Sequence, residues 1–108
     1  MKFFIVTCIK EHRNIVYQLF KKAEIKAFSS TNVTGFKDNQ NSNPLEEWFA
    51  HGDEQCDSEM IFSFTSELNA QKGMQLIQAH NETNPSGFPI RAFIVPVEVS
   101  NYLNKNQS

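Results

Sequence analysis

Apolar and polar positions change rhythm several times along the chain. Residues 3–9, Phe-Phe-Ile-Val-Thr-Cys-Ile, form a continuous apolar run rich in β-branched and aromatic side chains. A run of that kind predicts a strand buried on both faces. From Glu11 the period becomes helical, with Ile15, Val16, Leu19, Phe20 and Ala23 on one stripe. Glu11 near the start and Lys21-Lys22 near the end suit the helix dipole. Residues 28–37 read as a polar, Ser/Thr-rich second strand whose apolar positions are Val33 and Phe36. Alternation returns at residues 60–65, which places Met60, Phe62 and Phe64 on one face of a third strand. Ser66-Glu67 opens a second helix, with Ala70, Gly73, Met74, Ile77 and His80 along its stripe. Asn84-Pro85-Ser86-Gly87 ends that helix with turn residues. Residues 90–97 predict a last strand, with Phe93 and Val95 set against Ala92 and Ile94. Pro96 cannot donate to a ladder, so it belongs at a strand end or a sheet edge. Residues 100–108 read as a loose polar tail.

The predicted order is β-α-β-β-α-β, the ferredoxin-like split unit: an α+β domain spanning 1–108, with four antiparallel strands and two helices on one sheet face. Two helices cover one face only, yet the first and last strands are apolar on both. The second face needs a cover, and another copy of the chain is the simplest source. A homo-oligomer is therefore expected.

Composition narrows the function classes. Ten basic and twelve acidic residues give a net charge of −2, so no basic field is available for nucleic acid or an anionic membrane. The apolar run near the N-terminus is too short for a signal peptide or a membrane span, so a cytoplasmic protein without direct membrane insertion is expected. Cys8 and Cys56 form no C-x-x-C pair and suggest buried or idle thiols. No nucleophile stands at catalytic spacing from a base, and there is no phosphate-binding P-loop, so the reading is not an enzyme.

The long polar run from Gly35 to Asp57 is where function is expected, because a compact domain of this size seldom keeps a loop beyond about 12–15 residues unless it binds something or is disordered. Within it, residues 44–50 suit a helical turn, and Trp48 and Phe49 read either as packing or as an anchor for a partner. His51, Asp53, Cys56 and Asp57 lie within seven residues and offer imidazole, thiolate and carboxylate to a transition metal such as zinc or copper. His12 and Cys8 are possible further ligands. The alternative is a solvated acidic loop tip. Arg91 either holds an anion or pairs with a carboxylate such as Glu98, and His80 reads as a satisfied histidine at a helix end.

With this element order, Val33-Thr34-Gly35-Phe36 at the mouth of the long loop, and Phe93-Ile94-Val95-Pro96-Val97-Glu98 near the end, the chain resembles the PII signalling family. The resemblance covers nearly the whole chain. It implies a homotrimer that binds an adenine nucleotide in clefts between subunits, and a loop over residues 37–57 that docks on a protein target such as a membrane transporter. It also implies that Ser29 meets the adenine, Arg91 and Gly87 meet phosphate, Gly35 and Phe36 form the loop base, and Lys37 and Asn39 lie beside the ligand. The chain departs from the family at several of these points. Asn39 stands for a magnesium-ligating Gln, and Asp38 replaces a cation. The glycine-rich phosphate loop is reduced to Gly87 between Pro85 and Pro89, and no arginines follow the last strand. Two alternatives stand beside this reading: a metal-binding trimer using residues 51–57, and an oligomeric adaptor with no ligand.

Overall fold

The computed structural model describes residues 1–36 and 55–104. β1 (Lys2–Ile9) leads through a 3-10 turn (Lys10–His12) into α1 (Arg13–Lys22). β2 (Ser29–Phe36) and β3 (Gln55–Thr65) follow, then α2 (Glu67–Thr83), β4 (Arg91–Pro96) and a short α3 (Asn101–Asn104). The four strands form one sheet in the order β2-β3-β1-β4, and each neighbouring pair is antiparallel. This is the ferredoxin-like arrangement that the element order predicts. β4 is an edge strand, as Pro96 requires.

Cross-strand partners share a sheet face, so the register assigns every side chain to one side. Phe4, Val6 and Cys8 of β1 face the helices together with Ser63, Ile61 and Glu59 of β3 and Ile94 and Ala92 of β4. Val16, Leu19 and Phe20 of α1, with Ala23 just after it, close over them, as do Ala70, Gly73 and Ile77 of α2. Phe4 stacks on Phe20 with ring centroids 5.4 Å apart, at the centre of this core.

The connections are fixed by specific polar contacts. α1 ends in a left-handed residue: Glu24 has φ 64°, its amide donates to Lys21 O at 3.0 Å, and the Ile25 amide donates to Phe20 O at 2.9 Å. That pair of bonds is a Schellman closure, normally reserved for glycine. Ser66 caps α2 by accepting the Asn69 amide at 3.1 Å. Asn81 holds the link into β4 from both sides, its amide donating to Ile90 O at 2.8 Å and its carbonyl accepting Ile90 N–H at 3.0 Å.

Two boundaries differ from the sequence expectation. β3 begins at Gln55 rather than Met60, because the polar residues 55–59 pair through their backbones with an equally polar β2 and carry no apolar alternation. Gly35, Phe36, Cys56 and Asp57 are thus strand residues, with Gly35 opposite Cys56, Phe36 opposite Gln55 and Thr34 opposite Asp57. The tail also begins with structure, since α3 occupies residues expected to be loose, and Ser100 Oγ accepts the Tyr102 amide at 3.2 Å beside it.

Candidate functional site: the uncovered sheet face and the hairpin

The face turned away from the helices, which no helix among the described residues covers, carries the bulkier side chains. Phe3, Phe64 and Val95 form one cross-strand row, and Ile5, Phe62 and Phe93 form the next. Phe3 stacks on Phe64 at 4.7 Å and meets Phe62 edge-on at 5.8 Å. Phe64 remains 57% exposed, and Phe93 and Val95 39% each. These exposed apolar side chains are contiguous across neighbouring strands rather than scattered singly over the surface. A third row, Thr7, Met60 and Arg91, carries the polar groups of the face. Thr7 is fully buried and its hydroxyl has no hydrogen-bond partner.

The same register places the residues that the PII resemblance singles out. Ser29 is exposed on β2 opposite Phe62, and Arg91 is exposed on β4 opposite Thr7, so both lie on the uncovered face. They stand on opposite edges of the sheet, three strand spacings or about 14 Å apart across it and two residues apart along the strands. A ligand held by both within one chain would have to lie across the phenylalanine face. Gly87 lies in an exposed turn where an added Cβ would meet nothing within 4 Å. In the same turn the Phe88 amide already donates to Ser86 Oγ at 2.9 Å, which removes a backbone donor from any phosphate cradle.

β2 and β3 run on past β1 as a two-stranded hairpin, because Gln55–Asp57 have partners only in β2. Gly35 and Phe36 stand at its end, where the resemblance put the loop base. Lys37, Asn39, Trp48, Phe49, His51 and Asp53 lie outside the described residues. Asp57 is exposed on the strand, and no group of three or more His, Cys, Asp and Glu comes together among the described residues. His80 is partly buried in the last turn of α2, where the Asn84 amide donates to its Nδ1 at 3.3 Å and to its carbonyl at 3.2 Å.

A polar cluster beneath α1 was not anticipated. Glu59, on the helix side of β3, has a side chain only 5% exposed. Its Oε2 accepts from Tyr17 Oη at 3.4 Å, and the phenol also reaches Ser30 Oγ at 3.3 Å. Arg13 Nη1 stands 4.0 Å from Oε1, which has no hydrogen-bond partner. Burial, and then the Glu59 charge, push the neighbouring Cys8 thiol up from 9.0 to about 12. Strand parity held the clue, since a residue two before Ile61 shares its side of the sheet.

Among solved structures, the chain is similar to that of a DUF3240 family protein from Shewanella baltica OS155, with a TM-score of 0.62 and 11% identity over 93% of this chain and 92% of that one. At that identity the likeness shows the fold. No known family's sequence profile matches the chain. No curated protein matches it either. No helix among the described residues is long and apolar enough to cross a membrane.

Proposed function

We propose that this chain is a PII-like regulatory protein: a cytoplasmic homotrimer that binds a small effector between subunits and acts on a protein target through the β2–β3 hairpin and the segment it carries. The placement of Ser29 and Arg91 carries this reading. Both are exposed on the uncovered face but stand on opposite edges, so copies packed on that face would set the Ser29 edge of one beside the Arg91 edge of the next. Closing the Phe3, Phe62, Phe64 and Phe93 surface against other copies removes it from water and creates such boundaries. Effector binding at the boundary would bias the hairpin end, and a membrane transporter or an enzyme is the target class that the resemblance supplies. The effector is an adenine nucleotide in this reading. A full switch of the segment between two states takes about 5.5 kcal/mol of differential binding.

The test is a melting-curve panel on the purified oligomer with ATP, ADP, AMP, cyclic nucleotides, 2-oxoglutarate with magnesium, bicarbonate, zinc and copper. A ligand at 100 times its dissociation constant stabilises the folded state by about 2.7 kcal/mol. A nucleotide shift that Arg91→Ala removes, with the oligomer intact, is the expected result. Nucleotide binding untouched by Arg91→Ala overturns the cleft assignment. A shift with metals alone supports the metal-binding reading over residues 51–57, and silence across the panel supports a ligand-free adaptor.

A further inference from the structure

The four strands place a single charged residue on the phenylalanine side of the sheet, Arg91 at the start of β4. Lys2, Asp57 and Glu59 all alternate onto the helix side. Arg91 is exposed, and no side chain among the described residues pairs with it. Closing the face against further copies carries this cation towards the interior of the assembly, and a charge that leaves water needs a counter-charge. We infer, on the basis of the trimeric reading proposed above, that assembly is coupled to an oxyanion of the phosphate type, held at each boundary between Arg91 of one copy and Thr31 of the next.

Strand direction and row select Thr31. β1 is antiparallel to both β3 and β4, and β2 is antiparallel to β3, so β2 and β4 run in opposite directions. A threefold rotation about an axis along the strands preserves those directions. The β2 edge of one copy therefore meets the β4 edge of the next in antiparallel orientation. Such a rotation adds no translation along its axis, so each cross-strand row keeps its height. Thr31, Met60, Thr7 and Arg91 form one row, which brings Thr31 opposite Arg91, whereas Ser29 stands level with Phe93. Thr31 is exposed, and its hydroxyl makes no hydrogen bond among the described residues. A guanidinium fork facing a free hydroxyl supplies the donors that phosphate oxygens accept from.

The experiment is sedimentation equilibrium of the full-length protein in chloride, in inorganic phosphate and in AMP, at equal ionic strength so that screening is the same. An anion that binds only the assembled state raises the assembly constant, by about eightfold when each of three boundaries sits at its dissociation constant. The expected result is a rise of at least about tenfold in about 10 mM phosphate. Arg91→Ala and Thr31→Val should lose that rise, and Thr31→Ser, which keeps the hydroxyl, should retain it. A response to AMP at much lower concentration than to phosphate assigns the oxyanion to a nucleotide, and an equal response assigns it to a free ion; either supports the site. A trimer indifferent to both anions would overturn the coupling and leave the trimeric reading standing, whereas a chain monomeric in all three buffers would overturn both. A full response by Thr31→Val would overturn the assignment of Thr31.

Discussion

Gly73 is where the architecture has least room, and replacing it with alanine tests the packing of helix on sheet. The residue is buried in α2 directly over β1. A Cβ built there would lie 2.7 Å from Phe4 Cε2, 3.0 Å from Phe4 Cζ and 3.5 Å from Ile25 Cδ1. Carbon atoms prefer about 3.5–4.0 Å, so the Phe4 ring must move by several tenths of an ångström or more. That ring is fully buried and stacked on Phe20, so it has no open space to enter. Overpacking of this kind costs about 1–3 kcal/mol. Against it stands the helix propensity of alanine over glycine, about 1 kcal/mol. The expected net effect of Gly73→Ala is a loss of about 1 kcal/mol, within a range of roughly 0–2. Urea denaturation at fixed protein concentration reads it as a lower midpoint with an unchanged slope. Gly73→Ala combined with Phe4→Leu should lose less than the sum of the single changes, because the removed ring is the obstacle. A Gly73→Ala protein more stable than the wild type would refute the close approach of α2 to β1.

Further predictions follow from local features. Glu24→Gly should stabilise by about 0.5–1 kcal/mol, because the left-handed conformation costs a side-chain-bearing residue about 1–2 kcal/mol. The exposed Lys72–Glu24 pair at 3.3 Å that it sacrifices is worth at most about 1 kcal/mol; a lower denaturation midpoint would contradict this. In a Cys56→Ser background, Cys8 should not react with a thiol reagent at pH 8 in the folded state. Its thiol is raised to about 12, so stability from this group is fully present below the unfolded value near 9 and falls as pH rises from there towards 12. Cys8→Val should flatten that alkaline slope, and an unchanged slope would assign it to other groups. At the Glu59 cluster, Arg13→Ala should cost about 1–2 kcal/mol by leaving the buried carboxylate with only its Tyr17 contact, whereas Glu59→Leu should stay within about 1 kcal/mol of the wild type. The reverse order in denaturation experiments would show the pair to be net stabilising.

Element order was legible in the chain, since each strand and helix carries its own period, and the ferredoxin-like arrangement follows from that order. The assignment of faces was harder. Parity puts Met60, Phe62 and Phe64 together, but it does not say whether that side meets the helices. The structure gives the helix side to Ile61, Ser63 and Ala92 and leaves the phenylalanines outside. Gly73 of α2 makes room for the Phe4 ring beneath it, and that fit is visible only once the layers are assembled. The start of β3 at Gln55 escaped for a different reason: a hairpin of polar residues is held by backbone bonds, which leave no hydrophobic pattern. Ser29 and Arg91 were readable as candidates, whereas their positions on opposite edges came only from the strand order. The buried Glu59 went unnoticed because a lone acidic residue at a strand start reads as solvent-facing until its partners Arg13 and Tyr17 are placed.

In the proposed trimer the phenylalanine face is closed by further copies of the same chain. The direct measurement is sedimentation equilibrium of the wild type and of Phe93→Glu, a change on that face. A wild-type mass of three times the 12.4 kDa chain, falling towards a single chain when a carboxylate stands at position 93, is the predicted result. A wild type that stays monomeric at tens of micromolar, or a Phe93→Glu protein that remains a full trimer, would contradict it.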